Sequence, residues 1–328
     1  MGKRIRRILL IILGASVVII AIAGSINQAI KRKTYGRNYT EGKLYELEKN
    51  QIYAEVGGNP EGVPIVFVAG LGDGAYSWCT YTPLLQNEFQ TITFDKGGTG
   101  RSGAPSFTDR VDGEAYELKA LLKATEVEGP YILAGHSLGG ATVRRFTQLF
   151  PEMVRGVILI DTTNEVMFEG WEGKAAHRVE GVLYYLLKLT NFVGFPRLLH
   201  DIGAPLLKRE IDDQIIAARG RAYLEEYNEY CFRSSYIASV SRQFRSADKI
   251  FRLITKELVP QEIPAYIIYE VPSDEYKEDT EADVANYIAA IRKQYPVSES
   301  TIVYDAGHYI HVTRPEVITE GIDWILNH

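Results

Sequence analysis

The first sustained apolar run in the chain covers residues 8–26, about 19 uncharged and mostly apolar positions. At about 1.5 Å of rise per residue, a helix of that length nearly crosses the roughly 30 Å hydrocarbon core of a bilayer. The pattern predicts a single-pass membrane anchor within residues 1–33. Ala21-Ile22-Ala23 also has the small-x-small character of a signal-peptidase site, so cleavage and secretion is the alternative prediction.

Basic residues flank this run on both sides. Lys3, Arg4, Arg6 and Arg7 precede it, and Lys31, Arg32, Lys33 and Arg37 follow it. The positive-inside count is therefore close to a tie. Because a short amino-terminal tail is commonly retained in the cytoplasm, we expect the rest of the chain to lie outside it.

From Leu44 onward, short apolar runs bounded by turn residues alternate with stretches at helical spacing. Residues 44–48 and 51–56 predict an opening hairpin. Later runs lack polar alternation, which is typical of parallel strands buried on both faces. These runs are residues 64–68, 91–94, 131–134, 157–160, 265–269 and 301–304, with helices predicted at 141–150, 281–294 and 315–327. The pattern predicts an α/β domain with a mostly parallel, twisted sheet flanked by helices.

The stretch from about Thr162 to Ile263 breaks the alternation, since its patterns are helical and rich in Tyr and charged residues. A structureless loop of that length inside a compact domain would be abnormal, so we interpret it as a helical cap between the sixth and seventh strands. The predicted organisation is an anchor or signal segment at 1–33, a core at 34–162, a cap at 163–263 and the rest of the core at 264–328.

Composition and charge narrow the function classes. The 328 residues are 46% hydrophobic and 24% charged, as in ordinary globular proteins. The net charge of −6 hides an asymmetry: without the seven basic residues of segment 1–33, the remainder carries 29 basic against 42 acidic residues. A body that acidic repels phosphate backbones, so we expect no nucleic-acid partner.

Cysteine and histidine usage gives no sign of a metal. Cys79 and Cys231 are too few for a disulfide framework or a structural zinc site. Whether a single disulfide bond joins the two is not decided by the sequence. His308 and His311 are the one histidine pair near metal-ligand spacing, and that spacing alone is weak evidence. We therefore predict no metal.

The strongest chemical signal is Gly135-His136-Ser137-Leu138-Gly139, placed directly after one predicted strand and directly before a predicted helix. Gly-x-Ser-x-Gly in that context is a nucleophile elbow, which presents the serine hydroxyl at the end of the sheet. Gly135 and Gly139 are required because side chains there would collide with the neighbouring strand and helix. The Leu138 amide at the helix start is available to a developing oxyanion.

A serine hydroxyl needs a base and an orienting carboxylate, expected in the order serine, acid, histidine. His308 follows the last predicted strand and is the predicted base, whereas His311 is interpreted as a packing residue. Asp274 is the predicted acid because it follows the preceding strand at the same sheet edge. Glu275 and Glu270 are the near alternatives. Asp161, which ends the sixth strand, is the outside candidate, and a structural role is favoured for it.

Several blocks together resemble the α/β-hydrolase superfamily from Leu44 onward, apart from the cap. They are Ala69-Gly70-Leu71-Gly72-Asp73, Asp95-Lys96-Gly97-Gly98-Thr99-Gly100-Arg101-Ser102, the elbow, Ala306-Gly307-His308 and Arg314-Pro315-Glu316. The resemblance implies an oxyanion loop at Gly70-Leu71, whose Leu71 amide would join that of Leu138. It also implies the triad Ser137, Asp274 and His308, although the glycine usual before the acid is missing.

Gly98-Thr99-Gly100-Arg101-Ser102-Gly103 matches the dinucleotide fingerprint literally, but that fingerprint must open a helix. Ala104-Pro105-Ser106 follows instead, so we predict no nicotinamide or flavin cofactor.

A serine at the elbow indicates acyl transfer, because dehalogenases and epoxide hydrolases that resemble this fold use aspartate there. The predicted function is hydrolysis of small or lipidic carboxylic esters. An amidase or peptidase, and a domain that binds a hydrophobic ligand without turnover, are the alternatives. The cap residues Tyr184, Tyr185, Leu186, Leu187, Phe192, Phe195, Leu198 and Leu199 are candidates for an acyl pocket or for core packing. The predicted partners are a small-molecule ester and the membrane, with no obligatory protein partner.

Overall fold

A twisted sheet of eight strands forms the centre of the molecule, in the order β1-β2-β4-β3-β5-β6-β7-β8. The structure, a computed structural model, describes residues 2–35, 41–107, 111–163, 165, 171–204, 209–273 and 278–328. The strands are β1 Lys43–Glu46, β2 Gln51–Gly58, β3 Pro64–Val68, β4 Gln90–Phe94, β5 Tyr131–His136, β6 Val154–Ile160, β7 Ala265–Val271 and β8 Ser298–Tyr304. The pairs β1–β2 and β2–β4 are antiparallel, and the other neighbouring strands are parallel. The predicted mostly parallel sheet is confirmed.

Helices cover both faces of this sheet. The helices of the described chain, including those that do not cover the sheet, are α1 Lys3–Tyr35, α2 Thr82–Leu85, α3 Gly113–Thr125, α4 Gly139–Leu149, α5 Trp171–Asn191, α6 Phe195–Asp201, α7 Asp212–Arg219, α8 Arg221–Cys231, α9 Ser234–Lys256, α10 Glu278–Arg292, α11 Ile310–Thr313 and α12 Pro315–Leu326.

The apolar strands bury both faces because their side chains alternate between two cores. In β3, Val66 and Val68 point into a core shared with α3, α4 and α10. Ile65 and Phe67 point into a second core, shared with α2 and α12. This two-sided burial explains why the β3 sequence shows no polar alternation. Because β5, β6, β7 and β8 are parallel, they end at the same edge of the sheet.

The strand β3 has the predicted bounds, and β1 ends two residues earlier than predicted. The other strands extend the predicted runs by one to three residues, since neighbouring backbone pairing continues past the most apolar positions. The helix α3 is an element that the sequence analysis did not place. Its buried residues Leu118, Leu121 and Leu122 have helical spacing, but charged residues between them weaken the pattern.

Between β6 and β7 the described residues form the five helices α5 to α9, which we call the cap. The expected helical insertion is thus present between these strands. The cap packs on the carboxyl edge of the sheet, where the Ser239 hydroxyl of α9 donates to the Gly97 carbonyl 3.1 Å away. The division of the chain into the four segments that the sequence predicts, with their bounds, remains a prediction.

The helix α1 runs without a break through the apolar segment. Within the described residues, Arg4–Thr34 is the one helix long and apolar enough to cross a membrane, and its apolar part is almost wholly exposed. Such a helix fits either a membrane anchor or a signal sequence.

Candidate active site

Ser137 occupies a strained turn between β5 and α4. Its φ of 52° lies in the left-handed region, which is uncommon for a residue with a side chain. The turn is held by backbone bonds, because the Ser137 amide donates to the Ile160 carbonyl at 3.1 Å and its carbonyl accepts from the Gly140 amide at 3.0 Å. The Thr162 hydroxyl also donates to the Ser137 carbonyl, at 2.7 Å. The serine therefore has a fixed position at the end of the sheet.

The glycines of the elbow allow close backbone approach. A Cβ at Gly139 would lie 2.2 Å from the Val68 carbonyl oxygen, and one at Gly135 would lie 2.8 Å from the Cα of Gly140. Both distances are shorter than any side chain tolerates, so neighbouring backbone would have to move. At Gly70, a Cβ would lie 3.0 Å from the Cβ of Ser137. The loop that carries Gly70 thus runs directly past the serine.

His308 lies at the same sheet edge, in the loop between β8 and α11. Its Nδ1 is 2.6 Å from Oδ2 of Asp161, the residue that follows β6. Its side chain is 42% exposed, whereas that of Asp161 is 16% exposed. A carboxylate on Nδ1 fixes the ring and leaves Nε2 as the proton acceptor.

Among the described residues, the carboxylate on Nδ1 is that of Asp161, whereas the sequence favoured Asp274, after β7. Asp274 and its alternative Glu275 lie outside the described residues. Glu270 accepts a hydrogen bond from the Gly307 amide at 3.3 Å. Because β6 and β7 are parallel neighbours, an acid after either strand reaches the same edge, and Asp161 reaches it with a left-handed φ of 42°. A structural role was favoured for Asp161 from the sequence, and the structure adds this contact with His308.

The pKa of His308 reflects its charged surroundings. Burial lowers the pKa, but the hydrogen bond and negative charge of Asp161, with the further charges of Asp73 and Glu210, raise it more. The net effect is a pKa above the ordinary histidine value. His308 is thus a stronger base than a free imidazole.

His136, the residue before Ser137, supports the histidine loop. Its Nε2 lies 2.8 Å from the His308 carbonyl oxygen, which can only accept, so Nε2 carries the proton and donates. Burial, together with the nearby His308, lowers the pKa of His136 to about 3. The ring therefore stays neutral, and its centroid is 4.5 Å from that of His308. No hydrogen bond joins Ser137 Oγ to His308 among the described residues, and catalytic bonds of this type often tighten only when substrate binds.

His311 packs behind this pair, as the sequence analysis interpreted it. It is fully buried, and its ring stacks on Trp78 at a centroid distance of 4.1 Å. Burial, with the neighbouring His136, holds the pKa of His311 well below the ordinary value.

Two backbone amides belong to segments that lie next to Ser137. The Leu138 amide opens α4, and the Leu71 amide follows Gly70, whose backbone passes the serine. Within the described part of the chain, neither amide donates to an intramolecular acceptor. Free amides beside a serine hydroxyl can stabilise an oxyanion.

A buried carboxylate, Asp73, connects the oxyanion loop to the histidine loop and to the cap. Tyr309, next to His308, donates to its Oδ2 at 2.9 Å, and Tyr76 donates to its Oδ1 at 3.1 Å. Arg209 from the cap places Nε 3.4 Å from the same Oδ1. In the sequence, Asp73 stands out only as part of the Ala69–Asp73 motif, because nothing there indicates that Arg209, 136 positions later, pairs with it.

The cap also covers the oxyanion loop directly. The Tyr227 hydroxyl donates to the Gly72 carbonyl at 3.1 Å, and the Tyr236 hydroxyl lies 2.7 Å from where a Gly72 Cβ would be. Of the proposed acyl-pocket residues, Tyr184 and Leu187 pack inside the cap. Tyr185, Leu186 and Phe192 are exposed on the outer surface instead. For these three, the acyl-pocket hypothesis is wrong.

The Asp95–Ser102 turn supports the same edge structurally. Asp95 is fully buried and accepts hydrogen bonds from the amides of Ala75 and Arg101, at 2.9 and 2.7 Å. A Cβ at Gly74 or Gly100 would lie about 2 Å from its carboxylate oxygens. This motif therefore organises two loops around one carboxylate.

Sequence and structure comparisons agree with this fold. The family model described as the alpha/beta hydrolase fold matches residues 63–315. A human serine hydrolase-like protein is 34% identical over 134 residues, which are 38% of this chain and 64% of that protein. A mouse (lyso)-N-acylphosphatidylethanolamine lipase is 36% identical over 101 residues, 30% of each chain.

An alpha/beta hydrolase enzyme from a Medee basin deep-sea metagenome library superimposes with a TM-score of 0.63 at 15% identity, over 87% of this chain and 98% of that one. The chain spans between about a third and two thirds of the length of the curated relatives it matches. The family match covers well over half of the chain and contains Ser137, Asp161 and His308. This protein belongs to the α/β-hydrolase family.

Proposed function

We propose that this α/β hydrolase cleaves carboxylic esters through a triad of Ser137, His308 and Asp161. The observation that carries the proposal is the 2.6 Å contact between His308 Nδ1 and Asp161, at the sheet edge where Ser137 is held in its strained turn. A histidine oriented by a carboxylate, at the same sheet edge as a half-buried serine, is the arrangement that activates a hydroxyl nucleophile.

In the first half-reaction, Ser137 Oγ attacks the ester carbonyl carbon and its proton passes to His308 Nε2. The carbonyl oxygen becomes negatively charged and accepts hydrogen bonds from the Leu71 and Leu138 amides. The tetrahedral intermediate then expels the alcohol, which takes the proton back from His308. The product is an ester between the acyl group and Ser137.

In the second half-reaction, water attacks this acyl-enzyme while His308 removes its proton. The carboxylic acid leaves and Ser137 is regenerated. Asp161 stays ionised and stabilises the imidazolium in both steps. An ester is the proposed substrate because an alkoxide leaves more readily than an amine.

We further propose that α1 is a retained single-pass anchor, with the hydrolase domain on the extracytoplasmic side. The helix continues without a break past the Ala21-Ile22-Ala23 sequence, and Gly24, within the apolar run, packs on the cap, so the end of this run is in contact with the folded domain. Mass spectrometry of the protein purified from membranes tests this by locating its amino terminus. A terminus at Met1 or Gly2 supports the anchor, and a terminus at Gly24 contradicts it.

Labelling of the full chain with a fluorophosphonate probe tests the triad. We expect wild type to label and Ser137→Ala and His308→Ala to lose labelling. A panel of nitrophenyl esters of increasing acyl length, run with the same variants, then ranks the substrates. Folded wild type that neither labels nor hydrolyses any ester would overturn the proposal and favour a ligand-binding domain, and turnover of amides alone would favour an amidase.

A further inference from the structure

The helix α1 and the cap are in backbone contact. A Cβ at Gly24 would lie 2.4 Å from the Val193 carbonyl oxygen, and a Cβ at Gly194 would lie 2.2 Å from the Gly24 carbonyl oxygen. Two glycines facing each other allow this approach, as small residues do at close helix contacts. The point of contact is two residues before the end of the apolar run 8–26.

Polar contacts fix α1 on the cap beyond that point. The Asn27 side chain donates to Oδ2 of Asp201 at 2.6 Å. Gln28, a residue of α1, is 6% exposed because its side chain lies against the cap. The basic residues Arg32 and Lys33 then occupy the last turn of the helix. The cap therefore begins at the level at which α1 would leave the bilayer.

One face of α5 packs inside the cap. The Ser241 hydroxyl of α9 donates to the Gly181 carbonyl at 3.3 Å, and the ring of Tyr184 lies 5.5 Å from that of Phe244. Leu187 joins the same apolar cluster. Residues 181, 184 and 187 thus form the inner stripe of the helix.

The opposite side, which we call the α5 outer face, is apolar and exposed. We include in it Phe192, which directly follows the helix, and its members are 51–78% exposed: Val179, Val182, Leu183, Tyr185, Leu186, Leu189 and Phe192. Among the described side chains of residues 181–192, Lys188 is the only charged one. One apolar face of α5 is buried in the cap. The other apolar face, which is exposed, needs an apolar environment outside the domain.

We propose that the α5 outer face lies in the interfacial layer of the same membrane that α1 spans. The occupant is lipid because the face is continuous with the anchor: Phe192 is the residue before Val193, whose carbonyl contacts Gly24. An amphipathic surface held at that level by a spanning helix loses little further freedom when it enters the lipid.

The position of α5 couples the membrane to the active-site loop. It packs on α9, and α9 carries Tyr236 and Val240, which both contact Gly72 in the oxyanion loop. This part of the inference rests on the proposed function: an ester dissolved in the bilayer would reach Ser137 through a cap that is already seated in lipid.

Depth-dependent fluorescence tests the membrane contact without any enzymatic assay. Full-length protein carrying Leu186→Cys or Phe192→Cys is labelled with an environment-sensitive fluorophore and reconstituted into phosphatidylcholine and phosphatidylglycerol vesicles. Leu84→Cys and Val259→Cys are matched controls, because these apolar residues are 63% and 65% exposed and lie outside the cap helices. Wild type, whose cysteines are both buried, gives the labelling background.

We expect blue-shifted emission and quenching by spin-labelled lipids at positions 186 and 192, and neither effect at 84 and 259. Equal quenching at all four sites, or none at 186 and 192, would overturn the proposal. A blue shift without lipid quenching would also overturn it and would indicate a second copy of the chain on this face.

A second arm measures function. Leu186→Asp should lower hydrolysis of a vesicle-embedded monoacylglycerol about tenfold, since it puts a charge into the interfacial layer. Hydrolysis of a soluble nitrophenyl ester should stay at the wild-type rate, and Val259→Asp should change neither. A protein with no esterase activity would defeat the proposed function, while the fluorescence result would still decide the membrane contact.

Discussion

Asp161 Oδ2 lies 2.6 Å from Nδ1 of His308, although 147 positions separate the two residues in the chain. Their strands β6 and β8 flank β7, and all three end at the same edge of the sheet. The left-handed backbone at Asp161 turns its carboxylate toward the histidine loop. This contact is the reason for proposing Asp161 as the orienting acid, among several carboxylates that the sequence places near the same edge.

Replacement of Asp161 by Asn should lower kcat by roughly 1,000- to 10,000-fold, because the amide no longer stabilises the imidazolium or its tautomer. Esterase kinetics with saturating substrate measure this loss. Asp274→Asn is the matched control and should stay within a few-fold of wild type. A severe loss in Asp274→Asn with an active Asp161→Asn would assign the acid to the strand β7 loop instead.

The acid limb of the pH profile should follow the raised pKa of His308. The base works only when neutral, so kcat/KM falls as the pH drops through this pKa, which lies above the ordinary histidine value. Glu210→Gln removes one negative charge that favours the protonated ring, so the limb should move to lower pH. The exposed Glu320→Gln on α12 should leave it in place. A limb that moves to higher pH in Glu210→Gln would contradict this electrostatic account.

The elbow should not tolerate a methyl group at Gly139. Its Cβ would meet the Val68 carbonyl at 2.2 Å, so Gly139→Ala should lower the free energy of unfolding by about 1–3 kcal/mol, the usual range for overpacking. Denaturant unfolding measures the change. At Gly57 the nearest atom to a new Cβ is 3.6 Å away, so Gly57→Ala should unfold close to wild type. Equal stability of the two variants would show that the elbow relaxes freely.

Asp73 should couple the histidine loop to the oxyanion loop. Tyr309→Phe removes one hydrogen bond to Asp73 and should cost about 1 kcal/mol of stability. Asp73→Asn should cost more, because it leaves the Arg209 guanidinium without its buried carboxylate. In a double-mutant cycle, the two substitutions should show a coupling of about 1 kcal/mol. Additive effects would mean that the bond between Tyr309 and Asp73 has no energetic role.

Local patterns in the sequence determined most of the fold. Apolar runs without alternation gave the buried strands, because a parallel strand covered on both faces needs apolar residues at every position. Gly135, Ser137 and Gly139 predicted the elbow, since a strand, a tight turn and a helix start impose steric demands within a few residues. His308 could be expected from its place after the last strand. These features depend on short-range geometry, which a single sequence carries.

Contacts between distant segments were decided only by the tertiary structure. The choice of Asp161 depends on how far β6 and its left-handed residue extend toward the histidine loop, and acids after β6 and β7 look alike in sequence. The pairing of Arg209 with Asp73 depends on how the cap folds back over the sheet. The outward position of Leu186 depends on which face of α5 meets α9, because both faces are apolar and periodicity alone could not separate the core face from the exposed face.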